Sequence, residues 1–473
     1  MVTQTLSLND IVSRANSGLQ RWQETDVKLR IQTMRSLRKI VQKKAQFIAR
    51  TISEEYGRPL SEVLSQEIFP VLEMAKYCEK NYRHWLAPQK MPYRRPCFFR
   101  KRNFLVREPL GCIAVFSPNN FPFSLGMMTL IYVAFAGNTV ILKPSEKSRQ
   151  LPDLIEWLIK ESGLAEAGAA FVMRGGAEIG KELIKHPSVQ KIIFFGHQKS
   201  GDDIAQSCIK HSKSFVLESG GGSTAFVLED ADLTLAAKGL AWSAFYANGQ
   251  SCVSTERIII DQRVEKKFLR LFKERVEALW EERQLTHSEN KFSEPYLSRY
   301  QKLIKIAKSE GANIHSIGEN TNGNPSLSYL LPTIISSSSV LTKLWQEEFF
   351  GPLVAIASVS DIQKAVLKVN KNVSSLGVSI WSRDKKKATF LAKNIFSGMI
   401  WINDSSFGLP HLPWGGWGKS GWGTLFSEHS LHEVTRMKWV SRHPARWAKP
   451  RFWWNPYTPL KENIFLKTTR HFF

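Results

Sequence analysis

The sequence is poor in cysteine and in acidic residues. Its 473 residues include five cysteines and no C-x-x-C pair, so neither a disulfide framework nor a zinc ribbon is expected, and the reducing cytoplasm is the favoured compartment. Asp and Glu number 42 against 65 Lys and Arg, which leaves a net charge of +23. Such an excess is typical of proteins that bind nucleic acid or an anionic membrane. It also arises from a basic, solvated surface, which we favour.

Long hydrophobic runs are missing as well. The N-terminus has no basic segment followed by an apolar one, which argues against a secretory signal. Residues 109–142 contain no charged side chain, but Pro118 and Pro122 interrupt them. The apolar stretch that remains from Leu125 is shorter than the ~20 residues of a membrane-spanning helix, so we expect a buried helix there and no transmembrane segment. The histidines show no metal-ligand spacing, and no metal is expected.

Short apolar runs alternate with helical stretches along most of the chain, beginning with basic amphipathic helices over residues 23–56. The candidate buried strands are GCIAVFS, NTVILKPS, AAFVM, VQKIIFFG and SFVLES, followed beyond Asp232 by ERIII, LVAIASV, GVSIWS and GMIWIN. This alternation predicts an α/β fold with a doubly wound parallel sheet and a second α/β domain. Residues 320–339 are rich in Asn, Gly and Ser and are expected to form a surface loop.

The C-terminal segment, residues 436–473, differs in composition from the rest. It holds nine Lys and Arg against one acid, interleaved with aromatic residues. Such a segment can lie at an anionic lipid surface or stack on single-stranded nucleic acid. The alternative is that it packs its aromatic side chains onto the body of the protein or onto a second subunit. We favour this alternative because four prolines prevent one continuous amphipathic helix.

Three residues near the ends of predicted strands could supply covalent chemistry. Cys252 follows a polar, glycine-containing turn in YANGQSCVSTERIII. Glu218 ends the strand SFVLE just before three glycines, and Asn120 stands in SPNNFPF after another strand. A lone cysteine is more often a small buried hydrophobe than a nucleophile. Together, however, a thiol, a carboxylate base and an amide donor are the minimal set for acyl chemistry through a thioester.

With these segments in view, the sequence resembles the aldehyde dehydrogenase superfamily over nearly its whole length. SPNNFPF resembles the family's proline-tryptophan-asparagine-phenylalanine-proline segment, ILKPSE its adenosine-ribose segment and FFGHQKSG its dinucleotide turn. LESGGGS, followed by EDADL, resembles the base segment, and NGQSCVSTER resembles the nucleophile segment. EEFFGPL and PWGGWGKSGWG complete the family's order. The closing segment, with Gly418 where many relatives have lysine, is most similar to class 3-like and short bacterial members.

The resemblance implies NAD(P)-dependent oxidation of an aldehyde to a carboxylic acid. Cys252 would be the nucleophile that forms a thiohemiacetal and then a thioester, while Asn120 and the Cys252 N–H would hold the oxyanion. Glu218, with a pKa raised by partial burial, would activate the water that releases the acid. The resemblance also implies a binding site for NAD, with NADP as the alternative. Its residues would be Lys143, Glu146, Gly196, Gly201, Glu348 and Phe350.

The domain organisation implied by the resemblance has three parts. They are a Rossmann-like cofactor domain (1–90 and 109–230), a catalytic domain (231–410) and an oligomerisation arm with the basic tail (91–108 and 411–473). Such an arm favours a homodimer or homotetramer. The implied substrate tunnel is aromatic and favours an apolar or aromatic aldehyde, although ligand pockets in general are lined this way. The tunnel residues would be Phe121, Leu125, Tyr246, Phe407 and Trp414.

Several positions depart from the family's usual residues and leave cofactor geometry and substrate range open. His197 stands where Ser or Thr is usual, Phe195 replaces Thr, Gly222 replaces Lys and Asn119 replaces Trp. His197 is either a cation that favours phosphate binding or a tolerated surface residue. Two other functions also stay open. One is a CoA-acylating dehydrogenase, against which Glu218 counts, and the other is a non-catalytic protein that binds nucleic acid or a membrane.

Overall fold

The chain divides into two compact units, a larger one of Met1–Trp85 and Pro109–Arg436 and a smaller one of Leu86–Glu108 and Met437–Phe473. The computed structural model describes residues 7–92, 101–285, 294–318, 330–337, 343–371, 374–405, 408–443 and 454–472. No helix in these ranges is long and apolar enough to cross a membrane. The finer division into cofactor and catalytic domains stays a prediction.

Fifteen α-helices lie in the described residues. They are α1 (Leu8–Glu24), α2 (Val27–Lys43), α3 (Ala45–Tyr56), α4 (Leu60–Val63), α5 (Phe69–Trp85), α6 (Ser124–Phe135), α7 (Leu151–Glu161), α8 (Ala177–Lys185), α9 (Gln198–Lys210), α10 (Leu233–Phe245), α11 (Glu265–Leu285), α12 (Glu294–Ser309), α13 (Ile362–Val369), α14 (Lys385–Asn394) and α15 (Pro459–Phe472). Shorter turns of π or 3-10 helix lie at Leu64–Ile68, Tyr246–Gly249, Lys343–Gln346 and Glu428–Glu433.

The strands build two large sheets in the larger unit. In chain order they are β1 (Gln89–Lys90), β2 (Arg102–Pro109), β3 (Cys112–Phe116), β4 (Thr139–Lys143), β5 (Ala170–Val172), β6 (Val189–Gly196), β7 (Ser214–Ser219), β8 (Thr224–Val227), β9 (Arg257–Asp261), β10 (Asn313–Ser316), β11 (Thr333–Ser337), β12 (Leu353–Val359), β13 (Ser374–Ser375), β14 (Gly377–Trp381), β15 (Met399–Ile402), β16 (Trp417–Gly418), β17 (Gly421–Trp422) and β18 (Thr435–Arg442).

The first sheet has six strands in the order β17-β7-β6-β3-β4-β5. Strands β3 to β7 are parallel, whereas β17 runs antiparallel to β7 and pairs Gly421 with Glu218. The strands are nearly continuous runs of buried apolar residues because helices cover both faces of such a sheet. All five strands predicted in this half of the sequence are confirmed.

The second sheet has seven strands in the order β10-β11-β12-β9-β8-β14-β15. All neighbours are parallel except β10, which runs antiparallel to β11. The four predicted strands of the second half are confirmed. The expected loop over residues 320–339 is wrong in part, because Thr333–Ser337 form β11, while 320–329 and 338–339 lie outside the described residues. Ile334 and Ile335 are fully buried there, and their pairing with β12 outweighs the serine-rich composition that suggested a loop.

The helices around the first sheet account for most of the N-terminal third. Helix α6 is buried along nearly its whole length, which confirms the buried helix expected from Leu125 onward. The amphipathic helices α2 and α3 are also confirmed, but their basic face is not wholly solvated. Arg30 is buried and donates a hydrogen bond to the Phe135 carbonyl at 3.2 Å, 105 residues away in the sequence.

The smaller unit contains a three-stranded sheet in the order β1-β2-β18, together with α15. Strand β2 begins within the segment 91–108 that the resemblance assigns to the arm, of which residues 93–100 lie outside the described residues. Helix α15 begins at Pro459, and proline suits the first turn of a helix because its missing N–H has no partner there. Strand β18 is almost wholly exposed and includes Trp439, which is 70% exposed.

Candidate active site

The carboxyl ends of the parallel strands in the first sheet open into a cavity of about 720 Å³. Phe116, Lys143, Phe194 and Glu218 line it from the ends of β3, β4, β6 and β7, which is the edge where open parallel sheets bind ligands. The cavity brings together many of the predicted site residues. Those in its lining are Asn120, Leu125, Lys143, Glu146, Gly196, Glu218, Cys252, Glu348 and Phe350.

A strained turn presents Cys252 to this cavity. Ala247, Asn248 and Gly249 have φ values of 47°, 59° and 69°, a left-handed conformation that is unfavourable for the two residues with a Cβ. Position 249 requires glycine, since a Cβ there would lie 2.1 Å from the Gly351 carbonyl oxygen. Three residues later Cys252 is partly exposed, whereas the other described cysteines are buried.

The surroundings of Cys252 favour the thiol over the thiolate. Burial raises its pKa first, and the negative charge of Glu218 raises it further. The backbone N–H groups of Cys252 and Val253 oppose this effect in part. The thiol and the carboxyl group therefore lie close enough to interact, and the nucleophile is mostly protonated at neutral pH in the ligand-free protein.

Glu218 is a buried carboxyl group with a raised pKa. It is 5% exposed, and its Oε1 atom makes no hydrogen bond to any described residue. Burial raises the pKa of Glu218 well above its usual value, and the Trp414 indole offsets this only in part. A raised pKa makes the ionised carboxylate a stronger base, as suits a group that takes a proton from water.

The Asn120 side chain lies beside the turn that leads to Cys252. Its Nδ2 donates a hydrogen bond to the Gln250 carbonyl at 2.9 Å. Asn120 follows β3 in the loop before α6, and this loop and the 246–250 turn therefore meet at the cavity. An amide donor in this place could reach the oxygen of a carbonyl group attacked by the thiol.

Gly220 lies between Cys252 and Glu348 without touching either through a side chain. A Cβ at Gly220 would lie 2.8 Å from Glu348 Oε1 and 3.4 Å from the Cys252 Cα. The first distance forces the Glu348 side chain to move, while the second is an ordinary contact. Absence of a side chain at position 220 therefore lets the thiol and the Glu348 carboxylate share one end of the cavity.

Gly220→Ala should displace Glu348 and spare Cys252. If Glu348 binds the cofactor, as the resemblance implies, KM for NAD or NADP should rise about 10-fold, while Cys252 alkylation by iodoacetamide changes less than about 2-fold. Steady-state kinetics and alkylation rates measure the two effects. Gly176→Ala is the matched control, because a Cβ there meets no atom within 4 Å. Equal KM values for the two variants would contradict the expectation.

The cavity is also lined by a lysine side chain and by the first residue before helix α9. The buried Lys143 Nζ lies 3.7 Å from the carboxylate of Glu146. Helix α9 begins beside the cavity with His197 as its N-cap, and His197 Nδ1 accepts the Lys199 N–H at 3.2 Å. Burial lowers the pKa of His197, and the charges of Arg299 and Lys199 lower it further. His197 is therefore neutral at pH 7, which disfavours its interpretation as a phosphate-binding cation.

The backbone of Phe349 and Phe350 is held by the buried carboxylate of Glu256, a residue of the NGQSCVSTER segment to which the sequence analysis assigned no role. Glu256 Oε1 accepts the N–H groups of Phe349 and Phe350, each at 3.0 Å. These two hydrogen bonds stabilise Phe350 at a left-handed φ of 46°. Glu348 itself lies 3.6 Å from Arg299 Nη1.

Two cavity residues on α12 escaped the sequence analysis. The Tyr296 ring stacks on Phe350 with centroids 6.0 Å apart, and Arg299 forms the ion pair with Glu348. Lys147, which also lines the cavity, has its Nζ 5.5 Å from the Tyr296 ring centroid. Nothing in the sequence signals these roles, since α12 shows only an ordinary helical pattern of apolar and basic residues.

Some predicted residues do not line the cavity. Gly201 is buried in the first turn of α9, against Ser219. Phe121 and Tyr246 pack with Leu125 and Trp242 in an aromatic cluster, where the Trp242 and Tyr246 rings stack with centroids 4.7 Å apart. Trp414 lies near Glu218, as its effect on that carboxyl group shows, and Phe407 lies outside the described residues. The substrate tunnel thus stays a prediction.

Comparison with known proteins gives matches in both sequence and fold. The sequence model of the aldehyde dehydrogenase family matches residues 3–440. The peroxisomal aminoaldehyde dehydrogenase 1 of Pisum sativum is 28% identical over 95% of this chain and 89% of its own length. The benzaldehyde dehydrogenase YfmT of Bacillus subtilis (strain 168) is 33% identical over 73% of this chain and 72% of its own length.

The fold also matches solved structures. The crystal structure of an NAD-dependent aldehyde dehydrogenase from Sinorhizobium meliloti superposes with a TM-score of 0.84 and covers 94% of this chain and 90% of its own. At 24% sequence identity this likeness shows the fold alone.

Proposed function

Since the chain belongs to the aldehyde dehydrogenase family, we propose that it oxidises an aldehyde to a carboxylic acid with NAD or NADP, using the cavity at the end of the first sheet. The observation that carries the proposal is that Cys252, Glu218 and Asn120, from three distant segments, line one cavity. A thiol, a base and an amide donor in one place suffice for acyl chemistry.

The residues of the cavity fit a dinucleotide cofactor. The buried Lys143 ammonium and the Glu146 carboxylate suit the adenosine ribose, and the start of α9 suits the pyrophosphate. Glu348 suits the hydroxyl groups of the second ribose, with Phe350 beside the ring. When bound, the nicotinamide accepts the hydride that leaves the oxidised carbon.

Acylation begins with Cys252. The Cys252 thiol first releases its proton to water. The thiolate then attacks the aldehyde carbon, and the carbonyl oxygen becomes an oxyanion that accepts hydrogen bonds from Asn120 Nδ2 and the Cys252 N–H. The Asn120 amide has two N–H donors, so one can serve the oxyanion while the other keeps its hydrogen bond to the Gln250 carbonyl. Loss of one such donor typically costs ~3 kcal/mol of transition-state stabilisation. The adduct then loses hydride and becomes a thioester.

Hydrolysis depends on Glu218. Its carboxylate takes a proton from a water molecule, which attacks the thioester carbonyl and frees the acid and the thiol. The raised pKa makes Glu218 a stronger base than an exposed glutamate. A CoA-acylating enzyme needs no such base, so the buried Glu218 supports hydrolysis over transfer to CoA.

We propose an apolar or aromatic aldehyde as the substrate. The aromatic cluster of Phe121, Tyr246 and Trp242 adjoins Leu125, which lines the cavity. The 33% identity to a benzaldehyde dehydrogenase supports the same class. The second candidate is a cationic aldehyde, on the strength of the name of the Pisum sativum relative.

The proposed setting is a homo-oligomer in the cytoplasm. Strand β18 exposes Met437, Trp439 and Val440, and a second copy of the chain is the occupant that we propose for this strand. The described cysteines are all free thiols, as a reducing compartment requires.

Absorbance at 340 nm tests the function directly. We expect NADH or NADPH formation without CoA, with kcat/KM for benzaldehyde or hexanal at least about 10-fold above that for betaine aldehyde, because a cation loses its hydration in an apolar site. Formation of reduced cofactor only with CoA would move the assignment to the acylating reaction. Higher kcat/KM with betaine aldehyde would overturn the substrate class and leave the reaction intact.

A further inference from the structure

A buried ion cluster lies next to the two loops of the proposed acylation site. Arg58, between α3 and α4, is 5% exposed, and its Nε lies 2.8 Å from Glu62 Oε1. Its Nη1 lies 2.6 Å from Oε1 of Glu67, which is fully buried. Burying an ion cluster is costly, so its role has to be sought in what its members hold.

Arg58 and Glu67 hold the loop that carries Asn120. Arg58 Nη1 donates a hydrogen bond to the Asn120 carbonyl at 3.2 Å, and the guanidinium lies 5.1 Å from the Phe121 ring centroid. Glu67 Oε2 accepts the N–H groups of Phe123 at 3.2 Å and Ser124 at 2.7 Å. The loop is thus fixed from Asn120 to the start of α6. Glu67 itself lies in the π-helical turn Leu64–Ile68, a local irregularity common at functional sites.

Glu62 holds the turn that leads to Cys252. Its Oε2 accepts the Ala247 N–H at 3.2 Å, at the first of the two left-handed residues with a Cβ. A left-handed residue of this kind costs roughly 1–2 kcal/mol, so the turn needs external support. The Asn120–Gln250 hydrogen bond joins the turn to the Asn120 loop. The contacts form a closed path from Arg58 through both loops and back through Glu62.

We propose that Arg58 is a positioning residue for the acyl-forming step, which with Glu62 and Glu67 sets the Asn120 amide against Cys252. The proposal rests on the proposed function for the role of Asn120. Arg58 touches the Asn120 backbone and the Phe121 ring, and its effect on the reaction passes through the Asn120 side chain. A planar guanidinium with five N–H donors can serve Glu62, Glu67 and Asn120 together, whereas a lysine ammonium has three donors and a different shape.

The test is acylation of Cys252 by p-nitrophenyl acetate in the full-length protein without cofactor. The thiolate attacks the ester carbonyl, the oxygen becomes the oxyanion, and p-nitrophenolate leaves as the S-acetyl thioester forms. Arg58→Lys should slow the release of p-nitrophenolate about 10- to 100-fold. In an Asn120→Ala background the same change should slow it less than about 3-fold, because the oxyanion donor is already gone.

Two further variants separate positioning from general stability. Arg38→Lys is the matched control, since Arg38 also makes an ion pair, with Glu79, but contacts neither loop; it should leave acylation within about 2-fold of wild type. Glu62→Gln keeps an acceptor for the Ala247 N–H and replaces Arg58→Lys if that variant does not fold. Equal slowing by Arg58→Lys with and without Asn120, or no slowing at all, would overturn the proposal.

The same measurements distinguish the two levels of inference. A wild-type protein that forms no NADH with any aldehyde, yet is acylated in a manner dependent on Asn120 and Arg58, would sink the proposed function and support the positioning role. If aldehyde oxidation depends fully on Cys252 but the acylation rate is the same in wild type and Arg58→Lys, the proposed function stands and the positioning role is overturned. Absence of acylation in the wild type would also overturn the positioning role.

Discussion

Cys252→Ala is expected to abolish NAD(P)H formation from any aldehyde, with kcat lowered at least about 10⁴-fold. The nucleophile takes part in every bond change before hydride leaves, so no other group of the cavity can replace it. The loss should appear in the single-turnover burst as well as in the steady state, because acylation itself is blocked. Stopped-flow absorbance at 340 nm, with enzyme in excess over aldehyde, measures this.

The control for Cys252 is another cysteine of the same chain. Cys208 is buried in α9 and lies outside the cavity lining, so Cys208→Ala should keep kcat within about 2-fold of wild type. Iodoacetamide should inactivate wild type and Cys208→Ala at similar rates. Retention of more than about one-hundredth of the activity in Cys252→Ala would show that the reaction does not pass through this thiol.

Glu218→Gln should separate the two halves of the reaction. Acylation needs no base at Glu218, so about one NADH per active site should form in a burst, after which the steady-state rate should fall at least about 100-fold. Hydroxylamine should restore turnover, because it attacks the thioester without a base and releases a hydroxamic acid. Glu274→Gln, on the exposed face of α11, is the control and should show wild-type turnover.

The raised pKa of Glu218 gives this prediction a pH dependence. Hydrolysis needs the carboxylate, so the wild-type steady-state rate should rise with pH through the raised pKa and level off above it. In Glu218→Gln this rise should vanish from the hydroxylamine-supported rate. Above the raised pKa of Glu218 its carboxyl group is charged, so Glu218→Gln should lower the pKa of Cys252 in that pH range and speed its alkylation by iodoacetamide. Unchanged alkylation would place the two groups too far apart to interact.

Stability should change in the opposite sense to activity. The folded protein holds a proton on Glu218 at pH values where the unfolded chain has lost it, so stability falls as pH rises from the unfolded pKa through the raised one. Glutamine removes this effect. The melting temperature of Glu218→Gln should exceed that of wild type at pH 8, and the difference should shrink toward pH 4.

Much of the catalytic set could be predicted because its signals are local. The strands before Asn120 and Glu218 are continuous apolar runs, and parallel strands must end at one edge, so the polar residues that follow them had to meet. The same reasoning does not reach Cys252, whose place beside Glu218 depended on the family resemblance.

The residues that the sequence did not reveal all act across long sequence distances. Arg58 contacts Asn120 from 62 positions away, and Glu256 holds Phe350 from 94 positions away. The local sequence does not distinguish a buried arginine from an exposed one, because burial depends on segments that are distant in the sequence. Strand β11 is a second example of a long-range effect. Its serine-rich sequence predicted a loop, but its pairing with β12 makes it a strand.

The closing turn of the larger unit has a consequence for how the protein is made. Strand β17 pairs beside Glu218, and Ser420 Oγ donates to the Gly220 carbonyl 200 residues earlier in the chain. On the ribosome, therefore, the strand that carries Glu218 leaves the exit tunnel long before its neighbour exists. Contacts of such high sequence separation form late. The edge of β7 that pairs with β17 stays unpaired during this interval. In a chain stalled before Gly421, this edge could bind a chaperone or the β7 edge of another nascent chain.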